Sequence, residues 1–197
     1  GWLWGGCAWH DEARGCTMFL IRDNFRNSPR YLIYSRQELV AHELCHVARA
    51  AFVDDWQLEE FFAYRTSNSM LRRYLGNCFS TRWDAWLFLA PALLILAAQL
   101  VNVFLAPIPM WPAWSVLALG LGYLLGRNQW ARCRFFRARR KLRRWLSRHA
   151  QAVLFRCTWQ EIGRIGRMRS RREFLLWAKR QAGKEMRWRV ISHRFLQ

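Results

Sequence analysis

The 197-residue chain is 53% hydrophobic and carries a formal net charge of +19, with 32 Lys and Arg against 13 Asp and Glu. This length leaves room for one globular domain, or for a small domain joined to membrane helices. Residues 127–197 hold 22 of the basic residues and three acids, so the whole net charge lies in this tail. Such a tail favours anionic lipid headgroups or nucleic acid, but no nucleic-acid-binding signature is present, which argues against nucleic acid.

The cysteines and the start of the chain give few constraints on fold and function. Six cysteines form no CxxC pair, which predicts reduced thiols rather than a disulfide framework. The chain begins GWLWGG without a methionine and without a charged segment before an apolar run. This start predicts a trimmed or partial chain without a signal peptide.

Residues 1–82 have a mixed composition and begin with two short runs rich in aromatic and β-branched residues, CTMFLIRDNF and RYLIYS. The turn-like RNSPR between them predicts a two-stranded hairpin. A helix is predicted from about residue 36 to 52, followed by a break at Asp54 and Asp55, which would cap the next helix. That helix is predicted from Trp56 to Leu75, closed by Gly76-Asn77.

Residues 83–130 are predicted to form a transmembrane hairpin. No charge occurs from Ala85 to Ala106, which as a helix is about 33 Å long and enough to span a bilayer. The second apolar run, Ala113 to Gly126, is shorter and spans only with help from its flanks. Gln99 with Asn102, and Gly122 with Gly126, are predicted helix–helix contact surfaces.

Arginines flank both outer ends of this block, and its connecting turn is uncharged. The positive-inside rule therefore predicts an integral membrane protein with both termini in the cytoplasm. A short re-entrant hairpin gives the same sidedness, and a buried hairpin in a soluble protein is the other alternative. Residues 131–197 form a basic cytoplasmic tail, with a helix predicted along the membrane surface and a strand predicted at MRWRVISHRF.

The segment HELCH contains the candidate metal-binding and catalytic residues. On a helix, His42 and His46 project from one face because they are four residues apart, as two ligands of a tetrahedral zinc require. Glu43, about 100° further round, would act as general base on water and deliver the proton to the leaving amine. This spacing predicts a Zn²⁺ site on the first helix.

A catalytic zinc site needs a third protein ligand and one open position. The metzincin arrangement requires glycine and histidine where this chain has Arg49 and Phe52, so that class is excluded. Glutamates on the next helix remain, and Glu59 and Glu60 are both candidates. Cys45, inside the motif, points off the histidine face and is predicted to pack in the core.

HELCH followed by EFFAY resembles the HExxH and ExxA signature of gluzincin-type zinc metallopeptidases, broadly those of the Ste24/HtpX or ImmA/IrrE-like kind. The resemblance covers residues 36–70 and implies that Glu60 is the third ligand, with Ala63 letting the two helices approach. Tyr64 stands where Asp or Asn is common, and we expect its hydroxyl to bond a ligand or the oxyanion. An edge strand at RYLIYS would accept extended substrate.

The sequence thus predicts an α+β, mostly helical fold. A small zincin-like domain (1–82) precedes a transmembrane hairpin (83–130) and a basic tail (131–197). The predicted function is a membrane-anchored zinc endopeptidase that cleaves membrane-proximal or cytosolic proteins on the cytoplasmic side. The alternative is a non-catalytic membrane protein whose basic tail binds anionic lipid or nucleic acid, with a structural or vestigial metal site.

Overall fold

In the computed structural model the chain is described over residues 6–11, 16–31, 34–50, 56–79 and 81–196. The architecture is mostly helical, with two small antiparallel sheets at the beginning. The strands are β1 (Gly6–Asp11), β2 (Cys16–Ile21), β3 (Arg30–Tyr31) and β4 (Tyr34–Ser35). The helices are α1 (Asn24–Asn27), α2 (Arg36–Ala50), α3 (Trp56–Tyr64), α4 (Met70–Leu75), α5 (Arg82–Phe104), α6 (Trp111–Leu146), α7 (Ala150–Phe155), α8 (Trp159–Arg167), α9 (Arg171–Ala182) and α10 (Met186–Phe195).

The predicted pairing of CTMFLI with RYLIYS is wrong. β2 pairs with the upstream strand β1, in a register that runs from Gly6 opposite Ile21 to Asp11 opposite Cys16. RYLIYS turns back on itself, so β3 pairs with β4. The segment between the two runs folds as the helical turn α1 around Phe25, which is 1% exposed and meets the Tyr31 ring edge-on. No continuous edge strand therefore precedes α2 within the described residues.

The first predicted helix is confirmed as α2, but the second is broken. Helix α3 ends at Tyr64, and α4 starts only at Met70. The break follows from Glu38 on α2, whose carboxylate accepts hydrogen bonds from the Ser67 hydroxyl (3.1 Å) and the Asn68 backbone amide (3.0 Å). These contacts hold the connecting backbone outside helical geometry, and the Ser69 side chain then caps α4.

Helices α5 and α6 pack along each other. At their base, Arg127 donates to both carboxylate oxygens of Asp84 at 2.7 Å. The helices also approach closely at Gly120, where a Cβ would lie 2.7 Å from the Leu87 carbonyl oxygen. The predicted contact surface at Gly122 and Gly126 is wrong, because a Cβ on either would meet nothing within 4 Å.

Helix α5 contains an apolar span. The most apolar 18-residue window within Trp83–Phe104 has a mean hydropathy of 2.2, and 11% of this window is buried. It is the one helix in the described part of the chain that is long and apolar enough to cross a membrane. The Asn102 side chain does not join a helix–helix contact surface as predicted; it accepts from the Ile108 amide at 3.1 Å and closes the turn towards α6.

The basic tail forms the main hydrophobic core. Helix α6 runs without a break from the apolar block through residue 130 into the tail. Helices α7 and α8 pack against α6, the Phe174 ring of α9 stacks on Trp145 of α6, and α10 packs against α9 and α7. The predicted strand at MRWRVISHRF is wrong: it is α10, because Trp188 and Ile191, three residues apart, are both 0% exposed. The core also includes residues of α2 and α3, namely Cys45, Leu58, Phe61, Phe62 and Ala63.

Candidate metal centre

Helices α2 and α3 bring the two histidines and Glu60 to one point. The Nε2 atoms of His42 and His46 are 3.3 Å apart. One Glu60 carboxylate oxygen lies 3.7 Å from His42 Nε2, and the other lies 3.5 Å from His46 Nε2. Among the described residues, this is the one group of three or more His, Cys, Asp and Glu side chains placed to hold a metal ion.

These separations fit zinc. Ligand atoms 2.0–2.1 Å from a tetrahedral ion lie about 3.3 Å from one another. The three separations here are 3.3, 3.5 and 3.7 Å, close to that value without rearrangement of the helices. Two nitrogens and one carboxylate also form a ligand set that catalytic zinc sites use, with the fourth position open. The residues present therefore fit a zinc ion.

Each imidazole is also held from its other side. His46 Nδ1 lies 3.4 Å from a carboxylate oxygen of Glu59, and His42 makes a hydrogen bond with the backbone carbonyl of Ala63. Such contacts fix the tautomer that presents Nε2 to a metal. In this arrangement Glu59 is a partner of a ligand, whereas Glu60 lies among the ligand atoms.

Sequence reasoning missed this role of Glu59 and treated it only as a competing ligand. The available signal was the pair Glu59-Glu60 itself, since neighbouring helix positions point about 100° apart and cannot both face one ion.

Glu60 is crowded by negative charge. Burial raises the pKa of its carboxyl group; His46 lowers it, but Glu43 and Glu59 raise it, and the net pKa is above its ordinary value. Burial also lowers the pKa of His42 to about 4, assisted by His46 and Arg72. His42 is therefore neutral near pH 7, the form that binds metals. Three acids beside the neutral His42 imidazole favour a divalent cation.

Glu43 and Tyr64 lie beside this group. Glu43, on α2 directly after His42, is 8% exposed and close enough to raise the pKa of both Glu60 and Tyr64. The Tyr64 ring meets the His42 ring edge-on, with centroids 4.9 Å apart. Burial raises the pKa of the Tyr64 hydroxyl, and the charge of Glu60 raises it further. This hydroxyl is therefore a protonated donor at neutral pH.

The opposite side of α3 fixes it to the rest of the molecule. The rings of Phe61 and Phe62 pack on Phe135 of α6, with centroids 5.0 and 5.5 Å apart. The Arg65 guanidinium lies 4.9 Å from the Phe135 ring centroid. Burial lowers the pKa of Arg65 to about 10, assisted by the neighbouring arginines Arg139, Arg132 and Arg73.

Among the described residues, no other His, Cys or Asp side chain joins the group of His42, His46 and Glu60. Cys45 is buried in the core as predicted, and burial raises its thiol pKa to about 11. His149 packs against the Phe195 ring, and His193 is exposed on α10. Asp54 and Asp55 lie outside the described residues, as does the His10 side chain.

The chain was compared with protein-family models, with curated proteins and with solved structures, and none of the three comparisons found a match.

Proposed function

We propose that this chain is a membrane-anchored zinc-dependent endopeptidase. The observation that carries the proposal is the meeting of His42, His46 and Glu60, whose ligand atoms all lie within 4.8 Å of one another. Buried Glu43 beside them supplies the base that peptide hydrolysis needs. The resemblance to gluzincin-type peptidases rests on the same residues.

The chemistry follows from the positions of the side chains. A zinc ion held by His42, His46 and Glu60 supplies a Lewis acid and lowers the pKa of water. Glu43 accepts the proton of the attacking water and delivers it to the leaving amine. The Tyr64 hydroxyl donates a hydrogen bond to the oxyanion of the scissile carbonyl. Glu59 and the Ala63 carbonyl keep both imidazoles oriented throughout.

The membrane part of the proposal rests on α5 and the start of α6. We propose that they cross the bilayer as a hairpin, or enter and leave it on one side. The arginines that flank both outer ends then place the termini and the site in the cytoplasm. Fewer than twenty residues separate Tyr64 from the start of the span. This short connection favours substrates that are anchored in the membrane or lie close to it.

The test uses purified full-length protein in detergent or vesicles, with metal analysis and a peptide-cleavage assay. Glu43→Gln should keep stoichiometric zinc and lose cleavage by about 10²–10⁴-fold, the contribution of general acid–base catalysis. His46→Ala should lose the zinc together with the activity. Glu185→Gln is the matched control, since Glu185 pairs with Arg187 in the tail and does not contact the site.

Two outcomes would contradict the proposal. If the wild-type protein binds no stoichiometric zinc, the chain has no metal centre. If Glu43→Gln cleaves as fast as Glu185→Gln, Glu43 is not the catalytic base. Retained zinc together with unchanged cleavage would trace the activity to a contaminant. A loss of cleavage in both Glu43→Gln and Glu185→Gln would indicate a folding defect, which circular dichroism would detect.

A second candidate function is supported by the outer face of α6. Phe136, Arg139, Arg140, Arg143 and Arg144 line an open cavity of about 440 Å³. Arginine guanidinium groups bind phosphate in two-point contacts. We propose anionic lipid headgroups as its ligand. Vesicle flotation of Arg140→Gln/Arg143→Gln protein, with zinc content unchanged, would separate this binding from the metal centre.

A further inference from the structure

Helix α4 exposes its apolar side chains. Met70 and Leu71 are 79% and 68% exposed, and Leu75 is 39% exposed. Arg72 is half-buried and pairs with Glu38 at 3.2 Å, and the exposed Arg73 donates to the backbone carbonyl of Ser67. A surface helix in water buries its apolar face, so the exposed apolar side chains of α4 suit apolar surroundings.

The apolar face of α4 continues into that of α5. Phe79, between the two helices, is 53% exposed, and its ring meets Phe88 of α5 at a centroid distance of 6.4 Å. Trp83, at the start of the apolar span, is 65% exposed, at the place where an interfacial tryptophan would lie. One apolar surface therefore runs from the membrane-crossing candidate onto α4.

Helix α4 is also fixed in place. The Asn128 side chain donates to the Tyr74 carbonyl at 2.7 Å, and Arg132 donates to the Arg73 carbonyl at 3.0 Å. Both donors belong to α6, immediately beyond its apolar part. The height of α4 relative to the span is thus set by hydrogen bonds to the same helix that leaves the membrane.

The metal centre touches this element directly. The Tyr64 ring packs against Gly76 at the end of α4, so close that a Cβ on Gly76 would overlap it. Arg72 of α4 also pairs with Glu38 of α2, the helix that carries His42 and His46. The outer face of α4 is apolar, and its inner side contacts Tyr64 and α2.

We infer that α4 lies in the bilayer surface, with Met70, Leu71 and Leu75 among the lipid chains, and holds the metal centre against the membrane. The occupant of this face is the lipid bilayer, because its apolar surface continues that of α5. With the proposed function, on which this part rests, the substrates are peptide segments within about one helix diameter of the bilayer surface, ~10–12 Å. Segments deep in the cytoplasm would not reach it.

The test of membrane contact does not depend on activity. Full-length protein carrying a photo-crosslinking benzoylphenylalanine at Leu71 is reconstituted into phosphatidylcholine–phosphatidylglycerol vesicles, irradiated and analysed by mass spectrometry. The control position is Leu176, an exposed apolar position on α9 in the tail. We expect phospholipid adducts at position 71 and at most a tenth of that yield at 176.

Each other outcome would overturn the inference. Equal lipid adducts at positions 71 and 176 would mean non-specific labelling. Adducts of position 71 with a second copy of the chain, or with water only, would mean that α4 faces protein or solvent.

A second measurement tests the substrate class. Leu71→Glu should slow cleavage of a lipid-tethered peptide about tenfold, the effect of losing one buried leucine, and leave cleavage of the same free peptide unchanged. Leu176→Glu, on an exposed apolar position of α9 (50% exposed), is the matched control. Equal loss on both peptides would overturn the substrate assignment. If wild-type protein cleaves neither peptide while lipid adducts form at position 71, the proposed function fails and the membrane contact stands.

Discussion

Two glutamates in this molecule are nearly equally exposed and experience opposite surroundings. The side chains of Glu60, in the metal centre, and Glu161, on α8, are 17% and 13% exposed. Arg187 donates to both carboxylate oxygens of Glu161 at 2.7 Å, and Trp188 Nε1 donates at 2.6 Å. Glu60 has only the two histidines as ion-pair partners within the described part of the chain.

The pKa values move accordingly. Burial raises the pKa of Glu161, but hydrogen bonds from Arg187, Trp188 and the Thr158 backbone outweigh it, and its pKa is lowered. Burial raises the pKa of Glu60, and the nearby acids keep it raised. A carboxylate that stabilises the fold, such as Glu161, has a positively charged partner within the protein. Glu60 is surrounded by further acids, an arrangement that suits a cation from outside.

The largest difference that we expect between the metal centre and the cluster around Glu161 is stabilisation by zinc. Zinc at a thousand times its dissociation constant should stabilise the folded protein by about 4 kcal/mol, because it binds the folded state alone. The measurement is thermal unfolding in detergent with zinc or with chelator. Glu161→Gln should keep the zinc-induced shift, and His46→Ala should lose it. A shift that persists in His46→Ala would place the ion elsewhere.

Neutralising the two glutamates should have opposite effects on stability in chelator. Glu161→Gln removes the two-point carboxylate partner of the half-buried Arg187, which keeps Glu185 as an ion-pair partner, and should lower the free energy of unfolding by about 2 kcal/mol. Glu60→Gln removes one of three crowded carboxylates and should raise it by about 1 kcal/mol, as ligand positions often do when mutated. If both substitutions lower the free energy of unfolding equally, the predicted difference between the two glutamates is wrong.

The Glu161 cluster also predicts a pH dependence. Because the folded-state pKa of Glu161 lies below its ordinary value of 4.5, the stabilisation is fully present above pH 4.5. It is lost as pH falls from 4.5 through the lowered folded-state value. The stability difference between wild type and Glu161→Gln, measured by denaturant unfolding from pH 7 to 3, should therefore shrink below pH 4.5. A constant difference would mean that Glu161 acts through packing.

The local parts of the site were predictable from sequence, and the non-local parts were not. A helix through His42, Glu43 and His46 follows from residue spacing alone, and α2 confirms it. The break between α3 and α4 depends on Glu38, about thirty residues away, so no window around residue 65 contains the cause. The strand predicted at residues 186–195 failed for the same reason, since Trp188 bonds Glu161.

Pairing of the first strands was equally non-local. CTMFLI is a strand by composition, but its partner β1 lies in a segment that carried no clear strand signal. The core shared by α3 and the tail was not predicted either, because arginines dominate the tail sequence while its buried positions are spread through five helices.

The two roles of the glutamate pair on α3 give a smaller effect. Glu59→Gln keeps all three ligand atoms and loses the charged partner of His46 Nδ1, so zinc affinity should fall about 10–100-fold. Glu60→Gln removes a ligand and should weaken binding well beyond that range. Competition with a zinc-sensitive chelating dye measures both. If Glu59→Gln proves the more damaging substitution, the two roles are exchanged.

The smallest expected effect comes from the contact between the site and α4. An alanine at Gly76 would push its Cβ into the Tyr64 ring, which should cost about 1 kcal/mol of stability through overpacking and displace the tyrosine hydroxyl. Gly183→Ala is the matched control: both glycines end a helix in right-handed conformation, and a Cβ at 183 makes ordinary contact. Cleavage should fall in Gly76→Ala at unchanged zinc affinity and stay normal in Gly183→Ala. Gly76→Ala is expected to displace Tyr64 and to leave zinc binding unchanged. A loss of both cleavage and zinc affinity would therefore show that α4 positions the ligands as well as the tyrosine.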